Sequence, residues 1–304
     1  MNFMNRFQIE CQSNTGAGGL WKPFALSGTS ADLVNRWGKE TLDHYMELYL
    51  SNEACRSGVI LTSAYELFEE QDVSIPEWHH VVPGFRKLTA EEILFYDPTG
   101  RHHDGYMYET IVTDAKLYMD WILDKLKDLG VKVIGNHKIE SIDEFDPSEL
   151  LVNCTGLGSR ELIGDESLFG IRGHVLRVRA PWVRHHVESH SLDASKPAYI
   201  IPNSELVVLG GTKQPGNEDT SYTEEDVQEI LERCQRIVPS LKSAEVVESW
   251  VGLRPGRNGV RVELEKMPGG RTVIHNYGHG GSGLTIGWGC CGDVVKLAHG
   301  VLSK

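Results

Sequence analysis

The sequence predicts a mixed α/β fold of two interleaved halves, on three observations. Two apolar strands, Leu150–Asn153 and Thr272–Ile274, each run into a glycine-containing turn and a helix start, the kind of junction at which open α/β sheets bind ligands. Between them, residues 170–264 hold a series of β-branched runs with one helix among them, a grouping that suggests a separate antiparallel layer. The 304 residues are enough for one large unit or two interleaved ones with a sizeable core.

Taken in order, residues 8–23 read as a backbone-exposing loop rich in glycine and closed by Leu20, Trp21 and Pro23. Residues 32–50 have helical spacing, with Leu33, Trp37, Leu42, Tyr45, Met46 and Leu50 on one side. Val59–Phe68 alternates as a strand, and Leu88–Phe95 is a short helix ended before Pro98. Thr113 is placed to cap a helix from Asp114 to Leu129 that stops at Gly130 and buries Leu117, Trp121, Leu126 and Leu129. Strands are expected at Val131–Ile134, Lys138–Ile142 and, within the β-rich section, at 170–182, 199–201, 206–209, 245–252 and 260–264. Thr223 and Asp226 form a capping box for a helix through Ile237. After Thr272–Ile274, a turn holding Gly278, Gly280, Gly281 and Gly283 opens a last helix with Ile286, Val294, Leu297 and Val301 at helical spacing.

Composition excludes several classes. The formal net charge is −13, the opposite of a nucleic-acid footprint, so an anionic substrate must be held by local cations. No apolar run approaches the ~20 residues of a membrane span, and the N-terminus lacks the apolar core of a signal peptide. Six scattered cysteines fit thiols in a reducing compartment and not a disulfide framework. The histidine pairs 79–80, 102–103, 185–186 and 275/279 sit in no recognisable metal pattern, so no metal is expected. A Ser-His-Asp hydrolase lacks its GxSxG elbow, because Leu284 stands where the last glycine belongs.

The most specific wording is Val-Ile-His275-Asn-Tyr-Gly278-His-Gly280-Gly-Ser-Gly283-Leu-Thr285. Glycines there let backbone N–H groups approach a ligand, and the following helix presents its unpaired N–H groups. This stretch closely resembles the signature of the D-amino-acid oxidase / D-aspartate oxidase family. So do the loop ending Ala17-Gly18-Gly19-Leu20-Trp21-Lys22-Pro23, the segment Val152-Asn-Cys154-Thr155-Gly156, and Arg6-Phe7. The resemblance runs from Arg6 to about Leu302. It implies a FAD-binding three-layer half, at about 1–52, 107–170 and 270–304, interleaved with an antiparallel substrate sheet at about 53–106 and 171–269. The family opens with a βαβ unit carrying Gly-x-Gly-x-x-Gly. Here Gly16-Ala-Gly-Gly19 has Trp21 in place of the third glycine, so a truncated FAD-binding domain is expected.

By the same resemblance, FAD is the cofactor, and Arg6, Ser13, Gly19, Leu20, Cys154, Thr155, Gly280, Gly281, Ser282, Gly283 and Thr285 line it. Arg254 and Tyr199 would hold a substrate carboxylate, and the Gly281 carbonyl would accept from the amino group. Lys213 stands where aspartate oxidases carry arginine, and Ser195 where oxidases of neutral substrates carry a second tyrosine. Both features favour an acidic D-amino acid, which the family oxidises with dioxygen to a 2-oxo acid, ammonia and hydrogen peroxide. Two alternatives stay open: a flavin-free fragment acting through protein contacts, and a related flavin amine oxidase for glycine or sarcosine. The family's address is the peroxisome, and this chain ends Leu302-Ser303-Lys304, one leucine short of that signal; otherwise the cytoplasm is expected. Oligomeric state is left open, a homodimer included.

Overall fold

The computed structural model describes the backbone of Arg6–Phe7 and residues 16–191 and 193–303. Strand β1 (Arg6–Phe7) precedes the long helix α1 (Ala31–Tyr49) and the single turn α2 (Ala54–Ser57). There follow β2 (Val59–Phe68), β3 (Arg86–Lys87), α3 (Ala90–Tyr96), β4 (Asp104–Thr113) and α4 (Ala115–Asp128). Two short strands, β5 (Lys132–Val133) and β6 (Leu151–Asn153), lead to α5 (Ser159–Ile163). The β-rich section holds β7 (Phe169–Arg179), β8 (His186–His190), β9 (Ala198–Pro202), β10 (Val207–Gly210) and β11 (Gln214–Pro215). Helix α6 (Glu224–Ile237) interrupts it before β12 (Glu245–Gly256) and β13 (Arg261–Lys266); β14 (Thr272–Tyr277) and α7 (Gly283–Leu302) complete the chain.

Nine strands make the main sheet, in the order β11-β7-β10-β9-β8-β2-β4-β3, with β12 along the other edge of β7. β2 and β8 run parallel and the other pairs antiparallel. Successive side chains of a strand point to opposite faces, and here that alternation separates two chemistries. Leu67, Val187, Ile200 and Leu209 turn to one face and pack under Ile230, Cys234 and Ile237 of α6. The other face carries Glu66, Glu188, Tyr199 and Gly210, which lie opposite one another across four strands. Trp21 and the buried side of α1 (Leu42, Tyr45, Leu48) cover its β2–β4 end. A second, three-stranded sheet pairs β13 with β14 antiparallel and β14 with β6 parallel, while β1 pairs with β5.

Most expected elements are present, with five corrections. Asp114, not Thr113, caps α4, accepting from the Lys116 N–H; Thr113 is the last residue of β4. That helix buries Ala115 and Tyr118, while Leu129 is 79% exposed, so the expected apolar stripe is rotated. On α1, Leu33 and Leu50 are likewise exposed. Lys138–Ile142 is no strand: Glu144 accepts from the Glu140 and Ser141 N–H groups and closes a turn there instead. Strands β4 and β8 were not foreseen, and β4 continues through residue 107, pairing with β2 along its whole length.

Candidate functional site

The functional face gathers around one aromatic ring. The turn after β14 needs glycine at 280, where φ is +53° and an added Cβ would stand 2.1 Å from the Ala25 carbonyl. At 281 a Cβ would stand 2.5 Å from the Phe24 ring. The loop carrying Phe24 is fastened to the start of α7 by two buried hydroxyls. Ser282 Oγ accepts from the Phe24 N–H at 2.7 Å and donates to the Phe24 carbonyl at 2.8 Å. Thr285 Oγ1 does the same for Lys22, at 3.3 and 3.0 Å.

On the sheet side, the Arg254 guanidinium lies 5.5 Å from the centre of the Phe24 ring and the Lys213 ammonium 5.3 Å from it. A cation near a phenyl ring is attracted by its quadrupole, and among the described residues neither of these two has a carboxylate partner. Arg254 donates to the Arg172 and Thr212 carbonyls, both at 3.3 Å, and an added Cβ at Gly173 would strike its guanidinium. Tyr199 is buried against the Gly210–Gly211 backbone; burial pushes its phenol up, with the nearby Arg254 opposing. Lys213 lies beside Ser195, whose carbonyl accepts the Lys213 N–H at 3.0 Å. Phe24 therefore brings Tyr199, Arg254, Lys213 and Gly281 to one place.

Next to Tyr199 on this face is a buried charge cluster that sequence reasoning did not find. Lys22 Nζ lies 2.5 Å from Glu188 Oε2 and 3.3 Å from Glu66 Oε2. His190 Nε2 is 2.7 Å from Glu66 Oε2, and the Tyr108 hydroxyl donates to Glu66 Oε1 at 2.6 Å. Burial disfavours every charge here, but Lys22 and His190 together outweigh it and hold both carboxyls below the usual range, Glu66 near 2. The two carboxylates in turn hold the Lys22 ammonium above its usual value against the same burial. Glu66, Glu188 and His190 offer ligand atoms within 4.8 Å of one another, the geometry of a cation site, and the Lys22 ammonium provides the cation. Each of these residues is unremarkable in sequence; only the register of β2 and β8 brings them together.

Among the expected cofactor residues, Gly19 and Leu20 run beside the end of β4, the Gly19 carbonyl accepting from the Thr113 N–H at 2.9 Å. Cys154 and Thr155 are exposed at the end of β6, next to β14. Thr155 turns inward on Asn153 and Ser159, with its N–H and hydroxyl both bonded to Asn153 Oδ1. Ser282 and Thr285 spend their hydroxyls on the loop. What remains open at α7 is backbone: among the described residues nothing accepts from the Gly283 or Leu284 N–H, and nothing stands within 4 Å of a Cβ added at Gly283. Such donors at a helix start fit the electron-rich edge of a flavin ring. Ser13 and the Arg6 side chain lie outside the described residues.

Residues 5–297 match the family model described as FAD dependent oxidoreductase. Human D-aspartate oxidase is 36% identical, over 96% of this chain and 85% of its own length. A D-amino-acid oxidase of Rubrobacter xylanophilus is 37% identical, over 94% and 85%. Among solved structures, glycine oxidase from Geobacillus kaustophilus shares the fold at a TM-score of 0.74 and 19% identity, covering 98% of this chain and 88% of that one. No helix among the described residues is long and apolar enough to cross a membrane. A family match over nearly the whole chain, joined by relatives at 36–37% identity, leads to one conclusion: this chain belongs to the FAD-dependent oxidoreductase family, an oxidoreductase whose cofactor is FAD.

Proposed function

We propose that the chain oxidises D-amino acids, acidic ones by preference, to 2-oxo acid and ammonia. The observation that carries this reading is the pair Arg254 and Lys213, two cations without carboxylate partners among the described residues, both lying near the Phe24 ring. In a protein of net charge −13, leaving two such groups uncompensated at one place favours a ligand with two carboxylates. A guanidinium binds a carboxylate through a planar fork and stays charged when desolvated, so Arg254, helped by the Tyr199 hydroxyl, takes the α-carboxylate. Lys213 takes the side-chain carboxylate. The Gly281 carbonyl, which accepts no hydrogen bond among the described residues, receives the amino group. The α-hydrogen would then face the start of α7, where the Gly283 and Leu284 N–H groups, with Gly280, would hold the ring edge; the imino acid left by hydride loss is hydrolysed by water to the 2-oxo acid and ammonia.

FAD, when bound, supplies a hydride acceptor and hands the electrons on to dioxygen, giving hydrogen peroxide. The chain's own residues orient the substrate and exclude water; no side-chain base is needed, because the amino group enters unprotonated against the Gly281 carbonyl. Cys154 and Thr155 would flank the cofactor's adenosine side.

The test is a visible spectrum of the purified chain titrated with FAD, followed by anaerobic addition of each aspartate enantiomer. A bound-flavin spectrum bleached by D-aspartate and not by L-aspartate, with peroxide formed on admitting air, is the expected outcome. Turnover of glycine or sarcosine without preference for D-forms would replace the substrate assignment. Absence of any bound flavin at high FAD would sink the reading altogether.

A further inference from the structure

Lys22 has no place in the reaction just proposed, yet it is among the most heavily committed side chains on the functional face. Its backbone is bonded twice to Thr285, and two residues on, Phe24 is bonded twice to Ser282. Its ammonium crosses to the sheet and joins Glu66 on β2 to Glu188 on β8. Trp21, one residue earlier, donates its N–H to the Ile111 carbonyl on β4. The segment from Trp21 to Phe24 is therefore a bridge between the sheet and α7, and Phe24 is its far end.

Stability alone does not account for the cluster. Burying charges costs several kcal/mol per ion, and well-packed apolar residues in place of a buried ion pair are often as stable or more so (~1–4 kcal/mol). What an ion pair supplies and an apolar patch does not is direction: the ammonium can satisfy both carboxylates from one position only. That position sets where the loop lies, and with it the ring beneath Arg254 and Lys213.

We propose that Lys22 is a positioning residue for substrate binding, a tether that fixes Phe24 against Arg254, Lys213 and Gly281 by locking its loop to Glu66 and Glu188. This rests on the function proposed above for the site, but the tether itself is a property of the folded chain and is measurable without turnover. Glu188 is the cross-strand neighbour of Tyr199, so the lock stands directly beside the carboxylate-binding pair. Losing it loosens the ground-state grip on substrate and leaves the reacting geometry, once reached, unchanged.

The test compares wild type, Glu188→Gln and the charge-balanced Lys22→Met/Glu188→Gln by amide hydrogen exchange and by steady-state kinetics. Exchange at the Lys22 and Phe24 amides is expected to rise about tenfold in the double variant, the scale of one lost charge-assisted hydrogen bond. A smaller rise is expected in Glu188→Gln, with the Trp21 amide unchanged in both. With D-aspartate, KM rises and kcat stays within about twofold, the pattern of lost uniform binding. Should the double variant fail to fold, Glu188→Gln decides alone. Loop exchange equal to wild type in the variants that fold overturns the proposal, as does an equal rise at Trp21 and across β7 and β12, which marks general destabilisation. An inactive wild type counts against the oxidase reading and leaves the exchange result standing.

Discussion

Arg254 and Lys213 face the same ring, but their chemistry separates them. Arg254 offers a fixed fork, so Arg254→Lys keeps the charge and loses the bidentate geometry. We expect kcat/KM for every D-amino-acid substrate to fall about 100-fold in Arg254→Lys, two tenfold steps of about 1.4 kcal/mol each. Arg254→Met, with no cation at all, should lose more. Lys213→Met should act selectively: about a tenfold loss for D-aspartate, of the order of one hydrogen bond to a charged group, and little change for D-alanine. Equal losses on the two substrates would show that Lys213 does not read the side chain. The pairing of these cations was legible in part, since Arg254 and Lys213 stand out once the glycine signature has been read. Phe24 was not legible, because a phenylalanine after Trp21-Lys22-Pro23 carries no sign that two cations will lie near its ring.

At the scale of elements, strand alternation wrote most of the fold into the sequence, and it failed where alternation was not the governing signal. β4, Asp104-Gly-Tyr-Met-Tyr-Glu-Thr-Ile-Val-Thr113, is rich in strand formers, but it is buried along nearly its whole length on both faces, so no polar–apolar alternation marks it. Lys138–Ile142 has strand-like letters but is claimed by the Glu144 carboxylate. The junction of loop and α7 was read as a ligand cradle. Two hydroxyls of that junction also hold the loop: Ser282 satisfies both backbone groups of Phe24. Ser282→Ala leaves that N–H and C=O unpaired in a buried position, at a cost of about 1–3 kcal/mol. The thermal midpoint should fall accordingly, and Thr285→Val should behave alike, whereas Thr155→Val, at an exposed site, should leave it nearly unchanged. A Ser282→Ala protein as stable as wild type would mean that the loop does not need its fastening.

Across the whole molecule, buried titratable groups make stability depend on pH in two separate steps. Burial holds His44, stacked on Trp288, and His279 near 4, whereas both titrate near 6.5 when unfolded. The unfolded chain thus binds protons that the native state refuses, and stability rises with pH between about 4 and 6.5. Below that range a second set takes over. Glu66 and Glu188 are held down by Lys22, Asp293 by its bonds to Arg36, and Asp165 by Ser167, Tyr277 and Arg257 against its own burial. Their contribution is complete above the ordinary carboxylate range and is lost as pH falls through their depressed native values, which for Glu66 lie near 2. Acidification should therefore lower the thermal midpoint first between pH 6.5 and 4 and again below about 4.5, with little change from pH 7 to 8, where the raised Lys22 stays charged in both states and the buried thiols of Cys234 and Cys290, pushed up by burial, stay protonated in both. Replacing His44 and His279 together by asparagine should reduce the upper step and leave the lower one, the remainder belonging to His174, His185 and His275, which burial also lowers. The charge-free triple variant Lys22→Met/Glu66→Gln/Glu188→Gln should shallow the lower step and leave the upper one. Thermal melts at half-unit pH intervals on the three proteins separate the steps, and a triple variant whose lower arm matches wild type would show that the buried cluster contributes nothing to acid stability.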